Sequence, residues 1–358
     1  MAQKKESVSV VVPLYNAEST IVQCIEALLG QTVPIDEIII VDNNSKDNSY
    51  EVVRKFIENN SSRGNVRVVK EPKKGAASAR NAGMNLAVSG IIAFTDQDCI
   101  PPPNWIENVI AAFENNSNAA MVAGVGRGAF TRTAIEKFTY LMREKTNSLS
   151  GACEFGEISC FTGPVFMTMN AAVKRIVLSE GVRFDESFPA IGGEDVDICM
   201  QALKKGMHVM FLPELYVLHQ ERNRITDIYK QNYSYTLSEA LILKKYFADE
   251  MIVINLGKCV LRRKSTFGTV KIDKLLWLVM LVLVMLLFIV AGWWLVFCAA
   301  LLSAAFVIRT FGNIKRNYKQ LNIKWSEIFT IAFCYFVKQA GDISGRVAGS
   351  LKNGILNI

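Results

Sequence analysis

The chain has 358 residues, with 40 Lys and Arg against 33 Asp and Glu, a formal charge of +7. That length suits one large or two ordinary domains with a real core. The basic excess gathers around one uncharged segment and not in a stripe with interleaved aromatics, which excludes a nucleic-acid surface as the organising theme. Met1 to Glu6 contain no apolar signal core, so the leading part is expected in the cytosol. The eight cysteines form no C-x-x-C pair and no metal spacing, as expected of reduced thiols; Cys153 and Cys160 are merely close in sequence.

Four short apolar runs open the chain: Val8–Val12, Glu37–Val41, Val66–Lys70 and Ile91–Thr95. Buried strands of a parallel sheet read as continuous apolar runs of this kind. Between them, Ile21, Val22, Ile25, Leu28 and Leu29 repeat at helical spacing up to Gly30. A second helix is predicted from Asp47 or Asn48 to Asn59, and a third from Gly75 to Ser89 with Gly90 as its stop. This β-α alternation implies right-handed crossovers and a parallel sheet with helices on both faces. Further on, the pattern predicts a helix at Trp105–Phe113, a strand at Ala119–Val125 and a helix at Ala134–Thr146. Gly151–Gly163 reads as a loop, Phe166–Met169 as a strand, Ala171–Leu178 as a short helix and Asp195–Lys205 as a clearer one. Val209–Leu212 reads as a strand and Ile225–Phe247 as a long helix.

Leu275–Ile308 is uncharged, broken only by Gly292 and Ser303. One bilayer span takes about 20 apolar residues. This run is too long for one ordinary span and slightly short for two. A hairpin is preferred because Gly292-Trp293-Trp294 sits near its middle and tryptophans favour the interface; one tilted span is the alternative. Lys258, Arg262, Arg263, Lys264, Lys271 and Lys274 precede it, and Arg309, Lys315, Arg316, Lys319 and Lys324 follow. Positive residues stay cytoplasmic, which two crossings allow for both clusters. The expected organisation is a catalytic domain over 1–250, a basic linker over 251–274, a membrane hairpin over 275–308, and a basic connection with an interfacial amphipathic helix over 309–358.

Ligands of open α/β sheets bind beyond the carboxyl ends of the strands. The fourth run ends abruptly in Asp96-Gln97-Asp98. Two such carboxylates can hold a hard divalent cation with substrate phosphates; an isolated D-x-D reads better as a solvated turn, and the strand-end context is what favours a site. Asp42 ends the second run on the same edge and can accept hydrogen bonds from a nucleobase or ribose. Arg80 is either a diphosphate-facing cation or a surface arginine. Gly192-Gly193-Glu194-Asp195-Val196-Asp197 opens a helix whose dipole favours acids. A general base must reach an acceptor hydroxyl, and Asp195 is the best candidate, with Glu194 next. His219, at the end of an apolar stretch, either approaches a cation or is structural. No P-loop, Gly-x-Ser-x-Gly elbow or kinase signature is present, and Gly124-Val125-Gly126-Arg127-Gly128 is only a fragment of a dinucleotide fingerprint.

Five segments in this order carry a resemblance: Val11–Asn16, Val41–Asp47, Ala79–Gly83, Asp96–Asp98 and Gly193–Asp197. With them the chain resembles a family 2 glycosyltransferase of the GT-A fold with a membrane-attached C-terminus. The resemblance implies a mostly parallel nucleotide-sugar-binding sheet flanked by helices. It implies that Asp42 and Asp96 contact the nucleoside, that Asp98 holds a Mg²⁺ or Mn²⁺ ion with His219 as a further contact, and that Asp195 is the base. Arg80 and Glu194 fall among the substrate-binding residues. It further implies inverting transfer from a nucleotide-sugar donor to a saccharide or other acceptor; the expected membrane hairpin and its basic flanks add membrane lipids, the cytoplasmic face and, by proximity, a lipid-linked acceptor. Asn43-Asn44 replace the more usual Asp-Gly, and Gln220-Glu221-Arg222-Asn223 does not reproduce the Gln-x-x-Arg-Trp of processive synthases, which favours single-sugar transfer. A non-catalytic sugar-nucleotide-binding scaffold and a nucleotidyltransferase are the rival readings; the latter should show a glycine-rich loop where this chain has Pro-Leu-Tyr-Asn-Ala.

Overall fold

The structure, a computed structural model, describes residues 6–60, 62–129, 131–147, 152–155, 166–188, 192–247, 252–256, 259–263, 270–271 and 321–353. The chain divides into two compact units, Met1–Phe130 with Tyr140–Glu221, and Thr131–Thr139 with Arg222–Ile358. The long helix Ile225–Phe247 therefore belongs to the second unit. The uncharged run Leu275–Ile308 lies outside the described residues. Among the described residues no helix is long and apolar enough to cross a membrane.

In the first unit the elements run β1 (Val8–Leu14), α1 (Ile21–Leu29), β2 (Glu37–Asp42), α2 (Ser49–Asn59), β3 (Val66–Lys70), α3 (Ala76–Leu86) and β4 (Ile91–Thr95). They continue with β5 (Cys99–Ile100), α4 (Trp105–Asn115), β6 (Ala119–Gly128), α5 (Ala134–Asn147), of which only the part from Tyr140 belongs to this unit, and β7 (Cys153–Glu154). Last come β8 (Asn170–Lys174), α6 (Ile176–Ser179), α7 (Glu194–Lys204) and β9 (His208–His219). The strands form one sheet in the order β3-β2-β1-β4-β8-β6-β9-β5, with β7 also on β9. Strands β1 to β4 are parallel, as expected of their apolar runs. Every residue of β2 and β4 is buried, and α1 buries Ile21, Cys24, Ile25 and Leu28 against the same core.

Strand β8 runs antiparallel to both β4 and β6. This corrects two expectations: Phe166–Met169 is not a strand, and Asn170–Lys174 is a strand where a helix over Ala171–Leu178 was expected. Sheet pairing on both sides overrides the helical preference of Ala171-Ala172. Helix α3 also stops at Leu86, short of Ser89, because Ala87 is extended and Arg175 bonds the Ala87 and Ser89 carbonyls.

Strand β9 is three times the expected Val209–Leu212, because it continues past Pro213. Its register against β6 jumps there, from Ala123↔Phe211 to Val125↔Tyr216. A bulge frees ladder groups, and Asn170 Nδ2 satisfies the Val125 and Leu215 carbonyls while its Oδ1 accepts from Trp105 Nε1. A Cβ on Gly124 would collide with the Leu215 carbonyl, so the bulge requires glycine there. The pairings place the C-terminal ends of β1, β2, β4, β6 and β9 and the start of β8 on one edge.

In the second unit, α8 (Ile225–Phe247) packs on α9 (Ile328–Asn353). Gly341, Gly345 and Gly349 lie one turn apart, and a Cβ on Gly345 would strike the Tyr233 carbonyl and Thr236 hydroxyl. Arg346 pairs with Glu239 at 2.7 Å, and Lys137 with Glu327 at 2.8 Å. Phe329, Phe333 and Phe336 are exposed on α9. The unit also holds strands β10 (Ile252–Leu256), β11 (Cys259–Arg263) and β12 (Val270–Lys271).

Candidate active site

The expected acids of the first unit come together at the shared sheet edge. Asp42 closes β2 opposite Leu14 of β1; it is buried and its Oδ1 has no hydrogen-bond partner. An orphaned carboxylate oxygen is costly unless something polar meets it, which fits a nucleoside hydroxyl or amide. Asp96 and Asp98 follow β4 directly, with side chains 27% and 34% exposed. The two-residue strand β5 then pairs with β9, so Cys99 faces His219 in register, and the Gln220 amide donates to the Asp98 carbonyl at 3.0 Å. Gln97 ties the turn down from the other side. Its Oε1 accepts from the Tyr15 amide and its Nε2 donates to the Tyr15 carbonyl.

Arg80 points inward. Buried in α3, it donates through Nη1 to Glu194 at 2.8 Å and through Nη2 to Asp96 at 3.0 Å. Its terminal nitrogens thus hold two carboxylates together, where sequence reading had weighed a diphosphate-facing cation or a surface arginine. Glu194 is likewise buried, with Oε2 lacking a partner. Gly192 and Gly193 adopt φ of 85° and 94° at the entry to α7, a left-handed backbone that side chains resist. The turn they make places Glu194 beneath Arg80 and Asp195 beside it. Burial, then the Glu194 charge, push the Asp195 carboxyl up to about 7, with Arg80 opposing. Asp197 is buried and bonds Gln201 within its own helix, a structural task.

His219 Nε2 lies 3.6 Å from Asp98 Oδ1. Asp98, Cys99 and His219 offer ligand atoms all within 4.8 Å of one another. Burial, then Asp98 and Asp96, raise the Cys99 thiol well above its usual value, and its soft sulfur is in any case a poor match for a hard cation that prefers oxygen. The oxygen donors Asp96 and Asp98, partly open to solvent, fit a Mg²⁺ or Mn²⁺ ion.

Residues 9–177 match the family Glycosyl transferase family 2. This segment is thus similar to a family 2 glycosyltransferase domain. The chain is similar to glycosyltransferase AglE of Haloferax volcanii, with 25% identity over 60% of this chain and 67% of that one. It is similar to glycosyltransferase GlyG of Streptococcus pneumoniae, with 31% identity over 51% of this chain and 62% of that one. The chain thus spans about two thirds of the length of these relatives. Among solved structures, the mannosyltransferase PcManGT from Pyrobaculum calidifontis in complex with GDP-Man and Mn²⁺ has a TM-score of 0.57. That match has 17% identity and covers 98% of this chain and 88% of that one, a likeness of fold. The chain accordingly has a GT-A-like α/β fold.

Sequence reading missed the residues that fix the domain's acids in place. Asn43 donates to the Glu71 and Lys73 carbonyls and accepts from the Gly75 amide, joining the loops after β2 and β3. Asn81 binds both backbone groups of Phe184. Arg143 bonds Glu221 at 2.9 Å and meets His219 Nδ1 at 3.0 Å. Asn43 and Asn81 stood inside the quoted segments and Glu221 in the run Gln220–Asn223, whereas Arg143 carried no local signal.

Proposed function

We propose that the chain moves one sugar from a nucleotide-sugar donor to an acceptor hydroxyl, inverting the anomeric centre, at the cytoplasmic face of a membrane. The carrying observation is the chain of contacts Asp96–Arg80–Glu194. It ties the acids after β4 to the first turn of α7, where Asp195 stands with a carboxyl poised near neutrality. A base whose affinity for protons matches the operating pH is suited to take a hydroxyl proton. Asp42, with its orphaned oxygen, receives the nucleoside. Asp96 and Asp98 supply the oxygens for a divalent cation, which when bound neutralises charge on the departing diphosphate. Arg80 holds Asp96 and Glu194 in place, so neither carboxylate has to be reorganised when donor enters. The named activities of AglE and GlyG support glycosyl transfer, and the GDP-Man and Mn²⁺ of the fold neighbour support the donor class and the cation.

Membrane attachment rests on Leu275–Ile308 and its basic flanks, and on the exposed Phe329, Phe333 and Phe336. A lipid-linked acceptor follows from that proximity. Calorimetric titration with a nucleoside diphosphate tests the site: Mg²⁺ or Mn²⁺ should tighten binding to wild type and not to Asp98→Asn. Equal affinities for both proteins, with and without cation, would remove Asp98 from the cation site.

A further inference from the structure

Gly126 and Gly128 alternate at the end of β6, and alternate residues of a strand share a face. One face of the strand's end thus carries no side chain, and the part of α5 from Tyr140 onward uses the space. A Cβ on Gly128 would collide with the Tyr140 ring. Asn147 Nδ2 donates to the Gly126 carbonyl at 2.9 Å, while its buried Oδ1 has no partner among the described residues. Between the two glycines stands Arg127, whose guanidinium lies 4.1 Å over the Tyr216 ring of β9. The result is an open cavity of about 450 Å³ within the first unit, lined among others by Arg127, Tyr140, Glu144, Asn147, Pro213 and Leu218. Small-molecule sites occupy about 300–1,000 Å³.

Its place on the sheet edge is set by strand register. Gly128 pairs with His219 from one side, and Cys99, the neighbour of Asp98, pairs with His219 from the other. The cavity therefore adjoins the turn that carries Asp98. In the strand order, β6 and β9 lie beyond β4 on the side away from β2 and Asp42. A donor with its nucleoside at Asp42 and its diphosphate at Asp96 and Asp98 leaves this end of the edge to the second substrate.

The lining says what that substrate offers. Tyr140, Pro213 and Leu218 give apolar surface. Arg127 donates only, a Glu144 carboxylate accepts only, and an amide such as Asn147 can do both. The charges of Arg127 and Glu144 cancel, and a carboxylate in the wall opposes an anion. A phosphate is poorly matched here. A ring with apolar C–H faces and hydroxyls that both donate and accept is well matched. We propose that this cavity is the acceptor subsite and takes a neutral saccharide ring. The assignment of the ring to the acceptor rests on the reading of Asp42, Asp96 and Asp98 as the donor's site.

Saturation-transfer NMR on the full-length protein tests it, with methyl α-glucoside, methyl α-mannoside, methyl β-galactoside and methyl β-N-acetylglucosaminide as probes. At least one should receive saturation from wild type, and neither a nucleoside diphosphate with Mg²⁺ nor inorganic phosphate should displace it. Glu144→Ala and Arg127→Ala should each weaken its binding about tenfold, the effect of losing one hydrogen bond to a charged group. No transfer to any probe, or equal binding by wild type and both variants, would overturn the proposal. Displacement by the nucleoside diphosphate would make the cavity part of the donor site, and displacement by phosphate would make its ligand an anion; either result overturns it as well. Both displacements are read on wild type, so neither depends on a variant folding. A wild type that binds a glycoside but no nucleoside diphosphate would instead strike the donor reading, and the saccharide site would stand without it.

Discussion

Glu194→Gln separates a working base from a merely acidic helix start. In wild type the Asp195 carboxyl sits at about 7, raised by burial and by the Glu194 charge and lowered by Arg80. As a general base it acts when ionised. Turnover should therefore rise roughly tenfold per pH unit below about 7 and level off above it, where about 90% is ionised one unit higher. Removing the Glu194 charge takes away a like charge and also releases Arg80 Nη1 from its 2.8 Å ion pair. Both effects favour the Asp195 carboxylate, so the rising limb should move to lower pH. A neighbouring charge of this kind is worth on the order of one unit, or ~1.4 kcal/mol. The assay is the pH profile of kcat at saturating donor, followed by nucleoside diphosphate release. Asp195→Asn should abolish the limb and cost ~10²–10⁴ in rate, about 3–5 kcal/mol. A limb that stays put or moves upward in Glu194→Gln, or near-normal turnover in Asp195→Asn, would refute the assignment. The same shift has a stability sign. The folded state holds this proton more tightly than the unfolded chain, so the contribution is complete below the ordinary carboxyl value of 3.8 and is lost as pH rises through about 7.

Other outcomes are equally definite. Arg80→Met strands two carboxylates and should lower unfolding free energy by ~3–5 kcal/mol in urea titration; a loss under ~1 kcal/mol would rank the network with surface pairs. Gly345→Ala places a Cβ against the Tyr233 carbonyl and should cost ~1–3 kcal/mol, read as a lower melting temperature of the full chain. Unchanged melting would mean that α8 and α9 can part without cost. Cysteines placed at Lys271 and Lys315, in a background without native thiols, should both resist an impermeant reagent in intact cells; labelling of one alone would favour a single span.

Strands β1, β2 and β4 were legible because burial on both faces leaves little polar alternation to misread, and Ile91–Thr95 matched residue for residue; the edge strand β3 is only half-buried and was marked by its three valines. Asn170–Lys174 was not legible, since its alanines favour a helix locally and only pairing with β4 and β6 makes it a strand. Pro213 disguised the continuity of β9, which survives there through a bulge that Asn170 satisfies. The acids of the site could be named from their places at strand and helix ends. Their partners could not: Arg80 reaches a glutamate 114 residues away, and Arg143 one 78 residues away. No periodicity encodes such pairs.

The turn Asp96-Gln97-Asp98 is anchored on three sides, by β4 before it, by the Tyr15–Gln97 bonds, and by the β5–β9 pairing with the Gln220 amide behind it. Amides engaged in this way open to solvent only through larger excursions of the sheet. In deuterium exchange, the Tyr15 and Gln220 amides should therefore follow the slow kinetics of the strand amides rather than those of a surface turn. The carboxylates would then be set at folding, and donor capture on this side would proceed as one rapid kinetic phase without a preceding rearrangement.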